Sequence, residues 1–136
     1  MWLAFALATV ALWSTWGFLG KIALRHAHWT QATLWFGIAA ALVCLAVLAV
    51  RGAEGSWGLR AVGMSALTGL AGGLGLATFY LALERGAASS VVPLIGTYPA
   101  GVALLSLVFL GESLSTVQII GIVMSVGGVC LLAAGS

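Results

Sequence analysis

Residues 96–105 read GTYPAGVALL, and within that apolar stretch Pro99 is the residue that changes what a helix can do. Proline has no backbone N–H and clashes with the preceding turn, so it removes one helical hydrogen bond and bends the axis. The residue before it, Tyr98, is pushed away from the α region. A carbonyl one turn earlier, near Ile95, is left without its donor. Thr97 and Tyr98 add two hydroxyls at the same place. A break of this kind, deep in an apolar segment, is the strongest sequence pointer to a polar binding site inside a membrane. A second constellation is WSTWGFLGK, residues 13–21. Trp13, Gly17 and Lys21 are four apart and share one helix face. Lys21 either stretches its stem toward the lipid headgroups or charges the mouth of a cavity and attracts an anionic group. Trp13 and Trp16 lie too deep for an interfacial belt, so they are expected in a bundle interior or a pocket wall. Thr78 and Tyr80 bring further hydroxyls near the end of a third apolar segment.

Other chemistry is missing. No Asp or Glu falls in the middle of any apolar run, so the sequence offers no carboxylate for proton or cation coupling. His26 and His28 stand two apart in a loop without neighbouring Cys or carboxylate, and read as interfacial. Cys44 and Cys130 each fall inside an apolar run and read as small core or lipid-facing residues. They make neither a disulfide framework nor a metal spacing. No nucleophile–base pair and no phosphate-binding glycine loop is present. The expectation is therefore no metal, no cofactor and no enzymatic activity.

The elements that must position these residues follow from composition. The chain has 136 residues, 62% hydrophobic and only 6% charged, against about 25% charged in an ordinary soluble domain. Such a chain cannot build a polar surface, and the lipid bilayer is its expected solvent. The net charge of +2 is too small to suggest nucleic acid. Charges and turn residues cut the sequence into five apolar runs, 2–24, 31–50, 61–83, 88–110 and 116–134. Each is close to the roughly 20 residues that a helix needs to cross the hydrocarbon. A β-barrel would need short strands of alternating polarity, which these runs lack. No cleavable signal is expected at the start, because the first run is too long and has no basic residues before it. The connections are short, and a soluble catalytic domain has no room. Pro93, near the start of the fourth run, is expected as a tolerated first-turn proline.

Packing signals are spread over the runs. Gly69 and Gly73 form a G-x-x-x-G pair, which lets membrane helices approach closely. Gly121 and Ser125 form a second small pair. Basic residues hardly decide orientation. Arg51 and Arg60 would lie on one side, against Lys21, Arg25 and Arg85 on the other. Insertion in both directions is one reading of that near tie.

LWSTWGFLGKIAL resembles the opening of transporters in the drug/metabolite superfamily. ATFYLALERGAASSVVPLIGTYPAGVALLSLVFLGESLS resembles the centre of an EamA domain, and TVQIIGIVMSVGGVCLLA its closing helix. The likeness covers nearly the whole chain and is closest to the five-helix bacterial and archaeal branch. It implies an all-α membrane protein, one EamA unit over residues 1–136, built as a bundle of five transmembrane helices. Most relatives carry two such units, inverted with respect to each other. A single unit would complete that plan by pairing with a copy of itself as a homodimer, for which an antiparallel arrangement is open. The resemblance places Trp13, Trp16, Lys21, Tyr80, Thr97, Tyr98 and Pro99 around a substrate cavity. It makes Gly121, Ser125 and Gly128 candidates for the subunit contact, while Gly69 and Gly73 remain helix-packing candidates from their spacing alone. Glu112 matches the family's Gly-Glu loop and is expected to be structural, as a cap on the next helix.

The expected function is a secondary transporter or facilitator of a small organic metabolite in the plasma (inner) membrane of a prokaryote. Its partners would be the bilayer, the solute and a second subunit. Aromatic faces and hydroxyls suit neutral or zwitterionic amphipaths. Flipping of a lipid-linked sugar and a non-transporting role as an assembly subunit are the alternatives.

Overall fold

The computed structural model describes residues 2–55 and 57–135. Every regular element among them is helical: α1 (Trp2–Ala23), α2 (Trp29–Arg51), α3 (Leu59–Arg85), α4 (Ala88–Ile95), α5 (Tyr98–Leu105) and α6 (Thr116–Ala134). A π-helical turn, Ser106–Leu110, continues α5. Among the described residues, four stretches are long and apolar enough to cross a membrane: Trp2–Ala23, Trp29–Arg51, Leu59–Arg85 and Ala88–Leu110. The fifth, Thr116–Leu132, is a shorter apolar helix. The expected runs therefore appear, with α2 and α3 each starting and ending a little outside the predicted limits. Helices gain these extra residues because Trp29, Leu59 and Arg85 are acceptable helix formers.

Local chemistry sets the ends. His28 caps α2: its ring Nδ1 accepts from Thr30 N, and Gln31 Oε1 accepts from His28 N at 3.1 Å. Ser115 caps α6 in the same reciprocal way, with Gln118 Oε1 accepting from Ser115 N at 2.8 Å. This capping box occupies the position expected for Glu112, whose backbone N–H instead bonds Ser106 O at 3.3 Å. A Ser side chain at the N-cap reaches the N3 amide, which a carboxylate three residues earlier does not. Gly52 and Gly111 end α2 and the π turn with φ of 73° and 66°, a region where glycine carries no Cβ penalty.

Pro93 departs from expectation. It lies inside α4, because the turn after α3 is only Gly86–Ala87 and the helix resumes at Ala88. Most intrahelical hydroxyls are satisfied locally. Thr9, Ser14, Thr15, Thr33, Thr68 and Thr78 each donate to the carbonyl four residues back, which removes a polar group from lipid at small cost.

The chain divides into two compact units, one running up to Arg85 and the other from Gly86 onward. In the first, α3 packs on both α1 and α2; in the second, α4 packs on α6. The buried apolar residues are few: Ala32, Phe79, Tyr80 and Leu83. Large hydrophobic side chains cover the outside, from Trp2 and Phe5 to Leu131. Apolar surface of that extent marks a membrane-embedded protein. Cys44 and Cys130 are free thiols on this surface, at the lipid-facing end of the expectation.

Candidate functional site

In the first unit the buried residues gather where α1 ends, α2 begins and α3 ends. Gly17 and Gly20 give α1 a flat face there. A Cβ at Gly20 would lie 3.3 Å from Tyr80 Cε1 and 3.5 Å from Leu83 Cδ2, so glycine permits this approach. Four aromatic rings fill the junction. Trp16 stacks on Phe79 at 4.8 Å and meets Phe36 at 5.5 Å; Tyr80 stands edge-on to Trp16 at 6.4 Å. Offset and edge arrangements of this kind are favoured by the ring quadrupoles. The Trp16 indole N–H donates to Tyr80 OH at 3.2 Å.

Charged groups tie the same junction. Lys21 Nζ donates to Leu83 O at 2.7 Å, placing its ammonium at the negative end of α3. Glu84 Oε1 accepts from Trp29 N at 3.1 Å and lies 4.0 Å from His28 Nε2. A carboxylate thus meets the positive start of α2, and an ammonium meets the negative end of α3. Lys21 is engaged in holding helices together.

In the second unit the site is the break itself. Gly96 (φ −57°, ψ −5°) and Thr97 (φ −79°, ψ −12°) form one tightened turn between α4 and α5. Thr97 N and Thr97 Oγ1 both donate to Leu94 O, at 3.2 and 2.8 Å. Ala100 N donates three residues back, to Thr97 O at 3.0 Å. Pro99 has no N–H to offer Ile95 O. A half-open cavity of about 50 Å³ lies beside this turn, walled by Gly96, Thr97, Pro99, Ala100, Ile122, Ser125 and Val126. It is too small for an organic solute and large enough for water or an ion. A wide-open hollow of about 510 Å³ lies near Glu54, Trp57 and Ser65 in the first unit.

Among the expected cavity residues, Trp16, Lys21 and Tyr80 therefore meet at one junction, while Thr97 and Pro99 line a niche in the other unit. Trp13 stays on the outer surface of α1, 55% exposed, and Tyr98 is 52% exposed. Of the packing candidates, Ser125 faces the niche. A Cβ at Gly69, Gly73, Gly121 or Gly128 would meet nothing within 4 Å, so these positions face open space in the chain. Sequence reasoning passed over Gly20, Phe36 and Phe79. The i, i+4 pair Trp16–Gly20, a bulky ring one turn before a glycine, was the available signal.

The profile of the EamA-like transporter family matches residues 1–134. The chain belongs to this family. It is a single EamA domain of the drug/metabolite transporter superfamily, and with its apolar helices it is a multi-pass membrane protein. This EamA chain is similar to an uncharacterized protein of Methanocaldococcus jannaschii, with 46% identity over 59 residues. The aligned part covers 43% of this chain and 43% of that protein, so the match spans less than half of the relative's length. No solved structure matches.

Proposed function

We propose that the chain is a secondary transporter or facilitator of a small organic metabolite, acting as a homodimer in the plasma (inner) membrane of a prokaryote. The observation that carries this reading is the family match, which runs from residue 1 to residue 134 of a chain with four apolar spans. Two further features support it. The span Ala88–Leu110 is interrupted near its middle by the Gly96–Thr97 turn, as transporter helices are at their binding sites. Tyr98, half-exposed beside the break, is available to a solute. The open faces at Gly69 and Gly73 leave room for a second subunit. With Lys21 bound to Leu83 O, and no carboxylate lining the niche at the break, a neutral or zwitterionic solute fits better than a bare ion of either sign. Transport then requires only binding and alternation of access, with no covalent step.

The test is solute exchange by purified protein in proteoliposomes, screened with amino acids, nucleosides and sugars. Tyr98→Ala is expected to abolish exchange of whichever solute is carried, while insertion and oligomer size stay unchanged. Undiminished exchange by that variant overturns the placement of the site at the break.

A further inference from the structure

We infer that α2 starts on a proton-sensitive cap: His28 closes the helix only as a neutral imidazole, and protonation transfers it to Glu84 at the end of α3. The first amides of a helix have no partner inside it, and in α2 each has found one. Trp29 N donates to Glu84 Oε1 at 3.1 Å, and Gln31 N donates to His28 O at 2.9 Å. Thr30 N, between them, donates to His28 Nδ1 at 3.4 Å. Thr30 Oγ1 lies 2.8 Å from the same nitrogen. A ring nitrogen accepts only while it carries no proton, so the cap requires a lone pair on Nδ1. The other ring nitrogen agrees. Nε2 lies 4.0 Å from Glu84 Oε1, and a carboxylate favours a proton there over a lone pair. These contacts assign the neutral ring as the Nε2–H tautomer, with Nδ1 turned to Thr30.

A proton taken from water onto Nδ1 reverses the cap. Thr30 N–H loses its acceptor, while the new Nδ1–H donates to Thr30 Oγ1. The imidazolium then stands beside the positive start of α2, an unfavourable place for a cation. It also carries a full charge opposite Glu84, whose Oε1 already holds Trp29 N. Protonation thus weakens the first turn of α2 and strengthens the tie between α2 and α3. The His28 side chain is 59% exposed, so water delivers the proton. The charged and titratable groups around it are Glu84 and Arg85 of α3, Lys21 at Leu83 O, and Arg25 and His26 in the turn before it. Histidine is the side chain whose charge ordinarily changes between pH 5 and 8. The chain carries its own contrast in α6, where the cap is Ser115 Oγ, which accepts from Gln118 N at 3.3 Å and does not titrate.

This inference goes beyond the transport reading and does not rest on it. The probe is nuclear magnetic resonance of the purified full chain in detergent micelles, at the two ends of the pH 5 to 8 interval in which histidine changes charge. Ring nitrogen shifts at the upper end should show the Nε2–H tautomer for His28. On acidification the Thr30 amide should exchange with water on the order of fivefold faster, relative to its intrinsic rate at the same pH, which is the size of a typical N-cap loss. Gln118 should keep its protection. His28→Asn retains a capping oxygen that does not titrate, and its Thr30 protection should be the same at both ends. Glu84→Gln should leave the Thr30 response in place, because the cap is lost at Nδ1 and not at Nε2. An Nδ1–H tautomer in the neutral ring, Thr30 protection that ignores pH, an equal change in His28→Asn, or an equal loss at Gln118 overturns the switch.

Discussion

The Trp16–Tyr80 hydrogen bond can be isolated by a double-mutant cycle. Tyr80→Phe deletes one oxygen and leaves the ring in its slot against Gly20 and Phe79. Trp16→Phe deletes the indole donor while a ring remains to pack on Phe79. Tyr80 is only 4% exposed and Trp16 is half-buried, so solvent replaces the lost partner only in part. The N···O separation of 3.2 Å is at the long end of the range of about 2.7–3.2 Å. Hydrogen bonds between membrane helices average about 0.6 kcal/mol and reach about 1.7. A bond at this length belongs near the average, so the expected coupling is about 0.6 kcal/mol, roughly threefold in the folding equilibrium. The assay is reversible unfolding in mixed micelles of rising SDS fraction, followed by helical circular dichroism. Single-variant losses that sum to the double-variant loss within about 0.3 kcal/mol, as for independent sites, would refute the bond as a link between α1 and α3.

Three further predictions concern other contacts. Ser115→Ala removes the acceptor for Gln118 N and should lower stability by about 1 kcal/mol, with amide exchange rising first at Thr116–Gln118. Lys21→Gln removes the ammonium from Leu83 O and should cost about 0.3–1 kcal/mol, the usual worth of a cation at a helix C-terminus; added salt should shrink the difference between variant and parent. A Cβ added at Gly73 would meet nothing within 4 Å, so Gly73→Ile should change subunit stability by less than about 0.5 kcal/mol, as for other open surface positions. The same change should weaken the proposed dimer, followed by energy transfer in lipid vesicles, and unchanged energy transfer would show that this face is not a subunit contact.

Much of the fold was readable because bilayer thickness dictates run length. Residues 2–24 and 116–134 of the expected runs fall within a residue of α1 and α6. The break at Pro99 was readable for a different reason: proline acts on its own helix, so no distant partner is needed to foresee it. The Trp16–Phe36–Phe79–Tyr80 junction was not readable beyond Trp16 and Tyr80, because ring packing depends on which faces of three helices meet. Hydrophobic periodicity fixes such faces in water, but a lipid-embedded helix is apolar on all sides and carries little of that signal. The role of Lys21 failed to resolve for a similar reason. A snorkelling stem and a tether look alike until Leu83 O is placed 2.7 Å from the ammonium. The S-x-x-Q box at Ser115 was legible from the sequence and was passed over in favour of Glu112.

The distribution of contacts in the first unit also has a mechanical meaning. Lipid tails are as apolar as leucine, so helices in a bilayer are held by close packing and hydrogen bonds rather than by a hydrophobic drive. Here those ties are concentrated at one end. Trp16 to Tyr80, Lys21 to Leu83 and Glu84 to Trp29 all lie where α1 ends, α2 begins and α3 ends. Away from that junction, Trp2–Thr15 of α1 and Ala41–Arg51 of α2 are exposed throughout, and a Cβ at Gly69, Gly72 or Gly73, in the middle of α3, would meet nothing within 4 Å. The polar ties between the helices of this unit thus lie at one end, and close packing at the α3 glycines contributes nothing to holding them together.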